Sequence, residues 1–327
     1  MEGVDLRLFQ FDYDQTWLAF FLNADRTIYG RYGTRASGGA DEGIDVSVAG
    51  FERALEGALE VHAGYPANKA TLVGKRGPPP PASEIRSFRL FKSRFAEAPP
   101  RGCAHCHHVW EALRSVPREA RKTLPDDLLW PYAKPDRLGL TLDLNERATV
   151  KAVAEDSEAA RAGFQVGDRI LSLAGQPLLS IADVQWVLQH ASEPCDLAAE
   201  VERRGGPATL TLHLGTGWRR GEDVTWRTST GAMRPFGWEE TTAEQRRQLG
   251  VNKDALCVRV RGMPKVGPAQ RAGLVAGDFI VEIDGRDDAI TENRWLEYLY
   301  KEKVRGQTVT LTVIHKGRRE KAKLEVQ

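Results

Sequence analysis

At 327 residues, with 41% hydrophobic and 28% charged residues, the chain has an ordinary globular composition and room for two to three separate cores. A formal net charge of +1 argues against nucleic acid as a partner. No run of about twenty apolar residues is present to span a membrane, and four cysteines are too few for a disulfide framework.

The first predicted elements lie between Phe11 and Ala63. Trp17–Leu22 is a continuous apolar run, as in a buried strand; Asn23-Ala24-Asp25-Arg26 supplies turn residues, and Thr27–Gly33 reads as the returning strand. Phe51, Leu55, Ala58 and Leu59 then recur at helical spacing. Strand, hairpin and closing helix resemble the C-terminal half of a thioredoxin fold. The approach Asp12–Thr16 lacks the cis-proline of that family. The first strand and the redox Cys-x-x-Cys would lie before Met1. The expectation is a chain truncated at its start, or a half-fold that packs on another part of the protein.

Gly77-Pro78-Pro79-Pro80-Pro81 is a stiff extended linker. Glu84–Glu97 follows with helical spacing of Ile85, Phe88, Phe91 and Phe95, and Pro99-Pro100-Arg101-Gly102 breaks it. Next stands Cys103-Ala104-His105-Cys106-His107, the Cys-x-x-Cys-His order of c-type haem attachment. Cys103 and Cys106 can bond two porphyrin vinyl groups while His107 ligates the iron. Zinc held by Cys103, Cys106, His105, His107 and His108 is an alternative, as are thiol redox chemistry and a plain exposed loop. Met233, Met263, His62 and His108 are candidates for a sixth haem ligand, and open five-coordinate iron is another outcome. A short helix is expected from Val109 to Arg114, and Trp130–Pro135 connects onward.

From there the chain repeats itself. Gly163 and Gly273, Gly167 and Gly277, and Ile170 and Ile280 each stand 110 residues apart, within segments that also share Ala, Arg and Asp. Gly163 and Gly273 suit a left-handed helix stop, and Gly167-Asp168 and Gly277-Asp278 a tight turn whose carboxylate accepts backbone N–H groups. Each copy opens on a glycine between bulky residues (Leu138-Gly139-Leu140; Phe236-Gly237-Trp238) and closes on a strand pair.

These residues resemble PDZ domains in the permuted form of bacterial periplasmic proteases, over Arg137–Leu214 and Met233–Val326. The resemblance implies that Leu138, Gly139 and Leu140, then Phe236, Gly237 and Trp238, offer backbone amides to a peptide C-terminus. Val184, Val187 and Leu188, then Trp295, Leu296 and Leu299, would line the grooves. No Gly-x-Ser-x-Gly nucleophile turn occurs, and Ser157 and Ser180 read as helix N-caps. Peptidase activity from this chain alone is not expected.

The whole order resembles a bacterial family of thioredoxin-like/PDZ proteins, some of them selenoproteins. The expected fold class is α+β: a partial thioredoxin-like unit (1–76), a Pro-rich and helical Cys-x-x-Cys-His segment (77–136), and PDZ modules at 137–216 and 233–327. The expected function is extracytoplasmic, periplasmic capture of peptides or protein C-termini beside a covalent haem c, with a redox partner or sensing role. A thiol oxidoreductase holding PDZ-bound clients, and a scaffold with zinc or no cofactor, are the competing expectations.

Overall fold

The structure is a computed structural model that describes residues 1–33, 46–94, 104–288 and 291–327. It groups into two compact units. The first joins Met1–Val109 to Trp130–Glu222, and the second joins Trp110–Leu129 to Asp223–Gln327.

The first unit opens with the antiparallel hairpin of β1 (Ala19–Leu22) and β2 (Ile28–Tyr32). Asn23 closes it by accepting the N–H groups of Asp25 and Thr27, each at 3.1 Å, which lets Arg26 take a left-handed conformation. Helix α1 (Val48–Ala63) is capped by Ser47, whose side chain accepts the Gly50 N–H. Its buried face matches the expected one in part: Ala58 is buried and Phe51 packs against the same core, but Leu55 and Leu59 are 44% and 62% exposed, and Gly50, Ala54 and Gly57 take the buried places. The reason is close approach: a Cβ at Gly50 would lie 2.1 Å from the Leu144 carbonyl oxygen, and one at Gly57 would lie 3.0 Å from Leu179. The helix docks through small residues onto the first repeat, and its leucines have no room on that side.

The expected Glu84–Glu97 helix begins as a 3₁₀ turn at Ile85–Ser87 and becomes α2 (Arg89–Arg94). Helix α3 (His107–Glu119) is longer than the expected Val109–Arg114 and holds Pro117 within it; α4 (Asp126–Leu129) follows.

The first repeat pairs β3 (Leu140–Leu142) with β4 (Val150–Val153). After α5 (Glu158–Ala162) come β5 (Arg169–Leu173), the short β6 (Gln176–Pro177), α6 (Ile181–His190), β7 (Cys195–Arg203) and β8 (Gly206–Leu214), with sheet order β6-β5-β7-β8.

In the second unit β9 (Gly237–Glu240), α7 (Ala243–Gln248), β10 (Val258–Gly262), α8 (Pro268–Arg271) and β11 (Phe279–Ile283) repeat the theme. They continue into α9 (Glu292–Glu297), a π-helical turn at Tyr298–Glu302, β12 (Thr308–His315) and β13 (Arg318–Glu325), with sheet order β13-β12-β11-β10-β9.

The duplication is geometric as well as sequential. Gly163 and Gly273 have φ of 87° and 79°, and the following amides of Phe164 and Leu274 both reach back 3.1 Å to alanine carbonyls at Ala159 and Ala269. Asp168 accepts the Gln165 N–H and Asp278 the Val275 N–H, both at 2.9 Å. The tight turn and the helix stop therefore form as the sequence implies.

Candidate functional site

Among the described residues, strand β3 is hydrogen-bonded to β4 on one side only. Across from its other edge lies α6. Between them is a cleft of about 180 Å³, with Thr141, Leu142 and Leu144 on the strand side and Ile181 and Gln185 on the helix side. Lys134, Pro135 and Asp136 line it as well, and they precede the opening turn of the repeat. Lys151 on β4 adds a second ammonium group to a lining that mixes apolar and charged side chains, and a strand edge open to such a cleft can accept an extended segment as an added strand.

Of the three amides expected to be offered by the opening loop, that of Gly139 is engaged within the loop. Gly139 has φ 84° and ends a 3₁₀ turn at Pro135–Leu138, donating its N–H to Asp136 O at 2.9 Å. The Arg137 N–H is likewise tied to Lys134 O at 3.0 Å. These amides serve the loop itself. Gly139 is also sterically required, because a Cβ there would sit 2.2 Å from Cβ of Ser157, the N-cap of α5. Leu138 and Leu140 are buried core residues. Val184, Val187 and Leu188 are buried too, and the cleft meets α6 through Ile181 and Gln185 instead. The connector explains part of this: the Tyr132 N–H donates to Gln189 Oε1 (2.6 Å), and Gln185 Nε2 donates to Tyr132 O (3.1 Å). The last turns of α6 are thereby covered by the chain itself.

The other side of α6 is covered by the N-terminal hairpin. Lys75 Nζ lies 2.8 Å from Asp183 Oδ1, both side chains almost wholly excluded from water. Asp183 also accepts the Leu179 N–H (3.0 Å) and the Arg31 N–H (3.2 Å). Burial pushes the Lys75 ammonium below its ordinary pKa, with Asp183 opposing that. Arg31, also driven down by burial to about 10, lies 3.5 Å from the Trp186 ring centroid and donates to the carbonyls of Gln10 and Lys75. Trp186 Nε1 donates to Gly74 O (2.8 Å). This network was invisible to hydropathy, which marks Lys75, Arg31 and Asp183 as surface residues.

In the second repeat Gly237 lies in β9 opposite Gly262, and Phe236 is buried. Trp238 on β9 meets Trp295 on α9 edge-to-face at 5.8 Å, and Phe236 meets Trp295 at 5.6 Å. Leu296 and Leu299 are buried. The two walls that would flank a ligand are thus in ring contact with each other.

At the Cys-x-x-Cys-His segment, Cys103 lies outside the described residues. Cys106 is a half-buried free thiol, and His107 opens α3. The His107 ring stacks on His105 at 5.6 Å and meets His108 at 4.3 Å. His107, His108 and Glu111 bring one ligand atom each within 4.8 Å of one another. His108 Nδ1 accepts the His105 N–H at 3.1 Å, so a cation at that nitrogen would have to displace the bond.

Comparison with known proteins bears on the repeats. Family models of the PDZ domain match residues 149–200 and 245–326. A probable periplasmic serine endoprotease, DegP-like, from Pseudomonas savastanoi pv. phaseolicola is 32% identical over 182 residues, covering 54% of this chain and 37% of that protein. The protein of the same description from Pseudomonas putida is 28% identical over 186 residues, again 54% of this chain and 37% of that protein. Among solved structures, an HtrA-type protease AlgW with decapeptide matches at 17% identity and a TM-score of 0.25, covering 42% of this chain and 50% of that chain. The chain carries two tandem PDZ domains and is homologous to HtrA/DegP-type proteins over about half its length, while spanning 37% of the curated relatives quoted.

Proposed function

We propose that the first repeat captures extended peptide segments by strand addition to the outer edge of β3, and that this region selects protein ligands rather than cutting them. The observation that carries it is the unpaired β3 edge facing Ile181 and Gln185 across an open cleft. The engaged Gly139 amide supports main-chain pairing along the strand as the source of affinity, rather than a grip on a terminal carboxylate. The ring contact of Trp238 and Trp295 supports one occupied groove per chain. The quoted relatives are described as periplasmic, and an extracytoplasmic setting is inferred on that basis. No helix among the described residues is long and apolar enough to cross a membrane. The hairpin-then-helix order supports the thioredoxin-like reading of residues 1–76.

Fluorescence anisotropy against an arrayed peptide set tests this. Free-acid and amidated forms of a binding peptide are expected to bind alike, and Ile181→Arg, which fills the cleft, is expected to weaken binding more than about tenfold without lowering the melting temperature. A ligand set that binds only as free acids, or binds Ile181→Arg unchanged, would contradict the strand-addition reading.

A second reading concerns the Cys-x-x-Cys-His segment, and its residue order carries it. Haem would use Cys103 and Cys106 for thioether bonds and His107 on iron; zinc would use His107 with Glu111, one turn along α3. The imidazoles of His105 and His108 give His107 polar neighbours, which favours the small cation over an apolar macrocycle. Protein exported with a cytochrome maturation system is expected to be colourless and to hold about one zinc ion per chain by elemental analysis. A Soret band surviving acid-acetone extraction reverses that choice, and absence of both removes the reading.

A further inference from the structure

We infer that the N-terminal unit is part of the ligand site of the first repeat: it holds the two walls of the groove at fixed spacing and supplies an upstream subsite that takes a basic side chain. This rests on the strand-addition reading above.

The bracing is direct. Ser180, at the start of α6, donates its hydroxyl to Arg31 O on β2 at 2.6 Å. On the opposite wall Ser47, the cap of α1, donates its hydroxyl to Leu144 O at 3.0 Å. The two ends are joined through Tyr32, whose hydroxyl donates to Ser47 O (2.7 Å) and accepts the Ser47 N–H (2.9 Å). Farther along the same wall Arg147 makes two bonds to Glu60 at 2.6 Å and donates to Arg53 O at 3.0 Å. Helix wall and strand wall are thus tied to one rigid hairpin-and-helix body, and the span between them is set outside the repeat.

The subsite follows from direction. A segment added antiparallel to β3 places its C-terminal end near Lys134–Asp136 and sends its upstream residues past Leu144 and Ile181. A shallow notch of about 10 Å³ adjoins the cleft there, so an incoming side chain lies across it rather than within it. It shares Leu144 and Ile181 with the groove and adds Tyr32, Gly33, Glu146 and Ser180. Glu146 is the one formally charged residue lining it among the described residues. Its side chain is half exposed and lies a long 3.9 Å from Arg53 Nε. An incoming lysine or arginine can compete for that carboxylate at no cost in buried charge.

The test uses the full chain, octapeptides with a constant apolar C-terminal half and Lys, Ala or Glu at each of the four upstream positions, and the apolar tetrapeptide alone. Native protein is expected to bind the best-placed Lys octapeptide about two- to fivefold tighter than its Glu counterpart. Glu146→Lys is expected to reverse that order while binding the tetrapeptide as native protein does. Equal binding of Lys and Glu octapeptides, or an unchanged ranking with Glu146→Lys, overturns the subsite while leaving the groove standing. No binding by any peptide, the tetrapeptide included, overturns the groove reading and the subsite with it.

Discussion

Replacing Asp183 by alanine is expected to destabilise the first unit by about 3–5 kcal/mol, because it strands the Lys75 ammonium in a site without water. It also removes the acceptor for two backbone amides, those of Leu179 and Arg31. Asp183→Asn keeps an acceptor of the same shape and should lose less. Pairing Asp183→Ala with Lys75→Met removes the orphaned charge, so the double variant should lose less than the two single losses added together. Urea unfolding of the four proteins, followed by circular dichroism, decides the matter. Strict additivity would mean that the pair contributes nothing as a pair. Because α6 forms one wall of the cleft, peptide affinity should fall in step with this loss.

Gly50→Ala is the second large effect. The new methyl would lie 2.1 Å from Leu144 O and 2.9 Å from the Tyr32 hydroxyl, and the first of these is backbone. Neither a rotamer change nor a small side-chain shift relieves that contact, so α1 must lift from the first repeat. Overpacking of this kind costs about 1–3 kcal/mol, with the upper end expected where the obstacle is a carbonyl. In an isolated helix the same change would be stabilising, since alanine is the better helix former. The sign of the measured change therefore reports docking and not helix propensity. Ala49→Gly, at the neighbouring position on α1, isolates the propensity contribution. If Gly50→Ala raises the melting temperature, the close approach at this point is wrong.

Much of the architecture was legible because duplication reads the same chain twice. The 110-residue offset between Gly167-Asp168 and Gly277-Asp278 carries over to strand positions: β5 starts at Arg169 and β11 at Phe279. Turn chemistry is local, so it survives in sequence. Helix α7 was missed, although Thr242 and Gln245 form a reciprocal cap of the Thr-x-x-Gln type that could have found it. What sequence could not disclose was contact at long separation. Hydropathy nominates Leu55 and Leu59 for burial, and they lose to glycines and alanines because the partner surface is a backbone carbonyl. Val184, Val187 and Leu188 have the spacing of a groove lining, yet α6 is covered by Arg31 of the hairpin on one flank and by Tyr132 on another. The groove meets it only through Ile181 and Gln185.

The two units interleave along the chain, and that has a consequence for biosynthesis. Trp110–Leu129 leaves the ribosome well before Asp223–Gln327, the stretch it folds with. In the finished unit Arg118 donates to the carbonyls of Lys303 and Gln327, and the Leu124 amide to Tyr300. Until those acceptors are translated, the early stretch has no native destination, so the second unit completes only once Gln327 has been translated. A single scission after Glu222 leaves the first repeat with all of its own unit but separates the second from Trp110–Leu129, so limited proteolysis between the repeats should yield fragments that stay associated.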